Sequence, residues 1–224
     1  MAKLHAVLFD LDGTLLDTAP DFFVVVNQLC ERHLQPPVSY NTIRATVSHG
    51  ARALVTLAFK LEPSDPLFEA RRQELLALYS SHLAVKTCLF SGLEELLTWL
   101  ENQSIAWGVV TNKPRLYAEP ILSALSLEQR CSVLVCPDDV THTKPDPEPL
   151  LLACQHLNCR PLDALYIGDH RRDIEAGRRA GMATMAAGYG YIDPNDPSQS
   201  WDADHHIDEA HSILPLIQRE FFAS

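Results

Sequence analysis

Short apolar runs alternate with helical patterns along most of this chain, and that alternation limits the folds open to it. The runs lie at 5–9, 105–111, 132–136, 164–167 and 182–186, with DHHI at 204–207 as a late addition. Helical patterns at 92–102, 115–125, 147–157 and 171–180 separate them, and another closes the chain at 209–222. Strands joined through helices cannot pair as hairpins. They predict an α/β fold with a doubly wound, mostly parallel Rossmann-like sheet and right-handed crossovers. Residues 19–84 break the pattern with four helical stretches and no strand, in FFVVVNQLCERHL, YNTIRATV, ARALVTLAFKL and FEARRQELLALYSSHLAV. Such a segment has no place in a parallel sheet and predicts an inserted four-helix domain. The expected division is a core of 1–16 and 90–224 with an insert of 17–89.

Four of the polar breaks carry chemistry. In AVLFDLDGTLLDT (6–18) the first run stops at Asp10 and Asp12, followed by Gly13 and Thr14. On extended backbone, positions i and i+2 share a face, so both carboxylates are expected to reach one phosphate or one cation. Gly13 allows a sharp turn that brings N–H groups to an anion. In VVTNKP, Thr111, Asn112 and Lys113 follow a strand, where a hydroxyl and an amide suit phosphoryl oxygens. Lys144, in HTKPDPEPLLLA, stands before a helix and can neutralise phosphate as a point charge. In LYIGDHRRDIEAGRRAG, Asp169 and Asp173 stand four apart at a helix start, a spacing that predicts one helical face. Each segment alone also reads as an ordinary turn, cap or solvated surface. Their shared position after strands is what distinguishes them, because ligands bind at the carboxyl edge of such sheets.

Taken together and in this order, the four motifs resemble those of haloacid-dehalogenase-superfamily phosphatases, in the subgroup that includes phosphoglycolate phosphatases. The resemblance spans essentially the whole chain. It implies Asp10 as nucleophile, Asp12 as general acid/base, and Thr111 with Asn112 and Lys113 at the phosphate. It also implies Lys144 steadying nucleophile and phosphate. Mg²⁺ is expected on Asp10, the Asp12 backbone carbonyl and Asp169, with Asp173 supporting it. Like charge on neighbouring Asp10 and Asp12 is expected to let one of them keep a proton at neutral pH. His170 departs from the family, which more often carries a small polar or acidic residue there.

In that family the insert is a cap that helps select the substrate through the loop between its second and third helices. Here that loop reads SHGARAL, making His49, Gly50 and Arg52 candidates beside Ser48. Arg52 can pair a substrate carboxylate or simply lie on a solvated face. Tyr189 and Tyr191 either line the entrance or pack as ordinary aromatics. SHGARAL, WGVVTNKP, CPDDV, KPDPEPL and YGYI more closely resemble the N-acetylmuramic acid 6-phosphate phosphatases of bacterial cell-wall recycling. The resemblance therefore implies a small carboxylate-bearing phosphate ester, that amino sugar ahead of 2-phosphoglycolate. A sugar phosphomutase and a non-catalytic sugar-phosphate-binding module are the remaining alternatives. A dehalogenase does not call for Asp12 or the metal acids.

Composition narrows the partners. A net charge of −11 over 224 residues argues against nucleic acid or an anionic membrane. No apolar run approaches the roughly 20 residues that span a bilayer. The first strand begins almost at Met1, leaving no room for a signal peptide, so a cytoplasmic monomer or weak homodimer is expected. Cys131/Cys136 and Cys154/Cys159 have ligand-like spacing, but the strand and helical periods place each pair apart. Buried reduced thiols are the default over a zinc site or a disulfide.

Overall fold

The structure, a computed structural model, describes residues 4–222. The chain runs through β1 (Ala6–Phe9), β2 (Leu16–Asp17), α1 (Ala19–Arg32), α2 (Tyr40–Thr46), α3 (Gly50–Phe59) and α4 (Phe68–Ser80). It continues with β3 (Cys88–Leu89), α5 (Leu93–Asn102), β4 (Ala106–Val110), α6 (Arg115–Ala124) and β5 (Val133–Val135). The last third holds α7 (Glu148–His156), β6 (Ala164–Gly168), α8 (Arg171–Ala180), β7 (Ala183–Ala187), β8 (His205–Ile207) and α9 (Ile213–Phe222). Two compact units result. One comprises the residues up to Leu16 and those from Leu89 on, and the other is Asp17–Cys88.

The first unit is built on a six-stranded sheet in the order β5-β4-β1-β6-β7-β8. Every neighbouring pair in it is parallel. Winding reverses at β1, which is flanked by β4 and β6 with Phe9 beside Val109 on one side and Ile167 on the other. Such a reversal leaves a crevice at the carboxyl ends of the strands. The register therefore delivers Asp10, Thr111 and Asp169 to one edge. β1 and β6 are buried at every residue, as apolar strands covered on both faces must be. On one face Leu8, Val133, Val135 and Tyr166 pack against Leu150 and Ala153 of α7 and Ala176 of α8.

Two local expectations change. The closing helix begins at Ile213, not 209, after a single tighter turn at Ala210–Ser212. Pro215 lacks an N–H and fits without cost only in a first turn, which sets that start. Cys154 and Cys159 are together, not apart. α7 ends at His156, so the helical period stops applying, and the Cys159 N–H returns to the Cys154 carbonyl at 3.1 Å. Burial, and then the neighbouring Cys159 thiol, pushes the Cys154 thiol up to about 12. All six cysteines are free thiols.

The second unit is helical, α1 to α4. Phe22 of α1 stacks on Tyr79 of α4 with ring centroids 4.1 Å apart. Asp21 is fully buried, and its carboxylate accepts the N–H groups of Lys86 (2.8 Å) and Thr87 (3.0 Å) and the Thr87 hydroxyl (2.6 Å). Three donors offset the desolvation of that charge and tie the start of α1 to the returning chain. Among the described residues no helix is long and apolar enough to cross a membrane.

Candidate active site

Strand β1 ends at Phe9, and the chain turns at once. Leu16 N–H bonds the Leu11 carbonyl and Gly13 N–H bonds the Leu16 carbonyl, both at 2.9 Å. Gly13 sits at φ +83°, a conformation that disfavours any side chain. Because Asp12 lies in this turn, the i, i+2 argument for extended backbone does not apply. The structure separates the two acids by giving each its own ammonium. Asp10 Oδ1 accepts from Lys144 Nζ at 2.9 Å, while Asp12 Oδ1 and Oδ2 accept from Lys113 Nζ at 3.0 and 3.3 Å.

Lys144 is buried and makes four contacts with its ammonium. Besides Asp10, these are Asp173 Oδ1 (2.8 Å), the Val110 carbonyl (2.9 Å) and the Tyr166 hydroxyl (2.8 Å). Burial opposes the charge on Asp10, but Lys144 and then Arg172 overcome it and hold that carboxyl below the usual carboxylate range. Asp173 moves the other way, raised by burial and by Asp10 against the pull of Lys144. Asp169 is pushed up to about 8, first by burial and then by the charges of Asp10 and Asp173.

Asp169 and Asp173 do not share a helical face. α8 begins at Arg171 with His170 as its cap, so Asp169 belongs to the end of β6 and only Asp173 to the helix. His170 N–H donates to Asp173 Oδ2 at 3.1 Å, and Arg172 N–H donates to His170 Nδ1 at 3.2 Å. The unusual His170 therefore serves as half of a capping box. Carboxylate oxygens of Asp10, Asp169 and Asp173 nonetheless come within 4.8 Å of one another, all three residues buried. Three crowded oxygen donors with opposed proton affinities fit a hard divalent cation. The Asp12 carboxylate, held by Lys113, is outside this group.

The phosphate-binding candidates follow β4. Thr111 N–H bonds the Val135 carbonyl at 3.0 Å, and its hydroxyl oxygen accepts the Lys113 N–H at 3.1 Å. The Asn112 side-chain amide donates to the Lys144 carbonyl at 3.0 Å and so ties the two loops together. In the helical unit, Ser48 and His49 form a tight helical turn that runs straight into α3, in place of an open loop. Gly50 opens α3 at φ +79°. Arg52, in the first turn of α3, carries its guanidinium 5.3 Å from the Phe68 ring centroid.

Thr14, and the two tyrosines left between lining the entrance and packing, support these groups. Thr14 donates its hydroxyl to Asp169 Oδ1 at 3.2 Å, and the Tyr191 N–H donates to Oδ2 at 2.8 Å. Tyr191 is buried and Tyr189 bonds the Thr14 carbonyl at 2.8 Å, so both tyrosines brace the turn that carries Asp169. Tyr166, which meets Lys144 at 2.8 Å, was not singled out as a site residue, and its readable signal was a tyrosine inside an otherwise aliphatic strand. Gly190 packs so closely here that a Cβ would collide with Asp169 Cβ and stand 2.5 Å from the Gly13 carbonyl oxygen. Neither neighbour is a flexible side-chain end. Gly190→Ala is expected to cost about 1–3 kcal/mol by overpacking, or roughly 3–10 °C in Tm. A thermal melt matching the wild type would show that the loop yields freely.

Residues 7–187 match the haloacid dehalogenase-like hydrolase family, and the chain belongs to it. It is 49% identical over 217 residues to an N-acetylmuramic acid 6-phosphate phosphatase from Pseudomonas aeruginosa, covering 97% of this chain and 96% of that one. To a phosphoglycolate phosphatase of Xanthomonas campestris it is 41% identical over 205 residues, 92% of each chain. A crystal structure described as a predicted phosphoglycolate phosphatase from Haemophilus somnus superposes with a TM-score of 0.86 at 28% identity, covering 97% of this chain and all of the other. Within the family the chain is a phosphatase.

Proposed function

We propose that this enzyme hydrolyses a small carboxylate-bearing phosphate monoester through an aspartyl-phosphate on Asp10, with N-acetylmuramic acid 6-phosphate favoured as substrate in peptidoglycan recycling. The chemistry rests on one observation above all. Asp10 is held ionised and aimed by a buried lysine, among acids that fit a cation. The substrate reading rests on near-complete alignment with relatives that carry that name. 2-Phosphoglycolate is the second reading, favoured by further relatives at 41% identity. Cytoplasmic location goes with either.

In the first displacement an Asp10 oxygen attacks phosphorus in line, the ester P–O bond breaks, and Asp12 gives its proton to the departing oxygen. In the second, Asp12 takes a proton from water, the water oxygen attacks phosphorus, and the Asp10–phosphorus bond breaks to release phosphate. Lys144 steadies Asp10 and the transferring oxygens, and the Thr111 hydroxyl orients them. Asp10, Asp169 and the Asp12 carbonyl would hold Mg²⁺, supported by Asp173. Bound there, the ion offsets repulsion between the anionic nucleophile and the anionic ester.

Phosphate release from the two substrates, compared as kcat/KM with Mg²⁺, tests the reading. A preference of about a hundredfold or more for the amino sugar, near 2.7 kcal/mol, supports it. The reverse preference assigns the second reading, and isomerised product without free phosphate assigns a mutase. Arg52→Ala is expected to raise KM for carboxylate-bearing substrates, and an unchanged KM removes Arg52 from substrate binding.

Cation binding should depend on pH with a definite sign. With its folded value near 8, Asp169 binds more protons folded than unfolded, so this group withdraws stability from the metal-free protein as pH rises from about 4 to 8. A cation must displace that proton, so binding strengthens by up to about 1.4 kcal/mol for each unit of pH rise toward 8. The rise in Tm on adding Mg²⁺ is therefore expected to be larger at pH 8 than at pH 6. Equal shifts at the two values would contradict the assignment.

A further inference from the structure

The two lysines of the site serve different acids, and that division assigns a role to Lys113 distinct from phosphate binding. Its ammonium lies across both oxygens of Asp12, at 3.0 and 3.3 Å. The Lys113 side chain is only 6% exposed and that of Asp12 16%, so this is an enclosed contact and not a surface ion pair. The other end of the residue is fixed too, because its N–H donates to Thr111 Oγ1 at 3.1 Å. Asp12 needs such a hold. It sits past the end of β1 in the Gly13 turn, outside the Lys144 network and outside the three-acid cluster.

We propose that Lys113 is the positioning residue of Asp12, setting the plane and reach of its carboxyl group. This role rests on the reading above that Asp12 moves the proton in both displacements. Proton transfer requires a carboxyl oxygen within hydrogen-bond distance of the ester oxygen in the first step and of water in the second. A carboxyl group free to rotate about two torsions meets that condition only part of the time. The two-pronged contact removes that freedom, and misplacement by about 1 Å is enough to cost on the order of 100-fold.

Leaving-group dependence separates positioning of the acid from phosphate binding. An alkyl phosphate needs a proton on its departing oxygen, whereas p-nitrophenyl phosphate leaves without one. For Lys113→Met, kcat/KM on the better of the two alkyl substrates is expected to fall about 100-fold. On p-nitrophenyl phosphate the fall is expected to be at least tenfold smaller. Inhibition by inorganic phosphate should weaken by less than about threefold, the small change expected when no phosphate contact is removed. Lys113→Arg, which keeps the charge and can meet both Asp12 oxygens through its planar guanidinium, is expected to recover part of the alkyl activity. If the Met variant does not fold, Lys113→Gln takes its place in the same comparison. Parallel losses on both esters, with weaker phosphate inhibition, would make Lys113 a phosphate ligand and overturn the proposal. No loss on either ester would overturn it as well. A wild-type enzyme inactive on both esters would overturn the phosphatase mechanism and this role with it.

Discussion

Asp10→Asn is expected to lower phosphate release by about 10⁴-fold or more while leaving the fold intact. The amide has nearly the shape of the carboxylate but is too weak a nucleophile to form the acyl-phosphate bond. The fold should survive because the strand contacts of this position are backbone ones, including the Asp10 N–H to the Ile167 carbonyl at 2.9 Å. An Asn oxygen can still accept from Lys144, which keeps its bond to Asp173 at 2.8 Å. The charge balance even improves. Asp10 is the largest of the neighbouring charges that raise Asp169, so neutralising it relieves repulsion among three buried acids. The metal-free variant is therefore expected to melt no lower than the wild type, while its stabilisation by Mg²⁺ shrinks. Single-turnover assays and paired melts would check both statements. Substantial turnover by the variant would remove Asp10 as nucleophile.

Lys144→Met combines a large loss of activity with a large loss of stability. The ammonium makes contacts of 2.8–2.9 Å with Asp10, Asp173, Tyr166 and the Val110 carbonyl, with no exposure of its side chain. Methionine fills similar volume but leaves two carboxylates and a carbonyl facing an apolar chain. Breaking a buried pair by removing one partner costs about 3–5 kcal/mol. The same change removes the charge that keeps Asp10 ionised, so kcat is expected to fall on the order of 10³-fold. The sign of the pH dependence follows from the neighbours. Asp169, pushed up to about 8, is neutral at pH 5–6, and burial raises Asp173 in the same direction, which softens the loss of Lys144 there. At pH 8 Asp169 is half ionised or more, and the full cost applies. Denaturant unfolding of metal-free protein at both pH values would measure this. A variant as stable as the wild type at pH 8 would contradict the network.

What was readable in advance depended on how far apart in sequence the interacting groups lie. Strand ends, helix caps and the order of the four polar breaks are local patterns. They were enough to place Asp10, Thr111, Lys144 and Asp169 at one sheet edge and to mark the family. The pairing of charges was not local. Lys113 reaches Asp12 across 101 positions, Lys144 reaches Asp10 across 134, and Thr14 reaches Asp169 across 155. No periodicity reports contacts of that range, so Lys113 was grouped with the phosphate ligands, and Thr14 and Tyr166 were passed over. Asp21 is a similar case. In sequence it is an acid in the first turn of a helix, and only packing makes it the buried acceptor for Lys86 and Thr87.

The reading of Asp10 and Asp12 shows where local rules stop. Alternation along a strand was a sound rule applied past the strand's end, since β1 ends at Phe9 and Asp12 lies in a turn. The helical period failed at Cys159 for the same reason, because α7 had already ended. By itself the sequence determined the alternating architecture, the helical insert and the positions proposed to carry the chemistry, because these depend on local periodicity and turn preference. Only the tertiary structure decided which lysine meets which acid and which acids crowd into one buried cluster. Those outcomes depend on strand order and register, which bring β1, β4 and β6 side by side and concentrate charge where water is excluded.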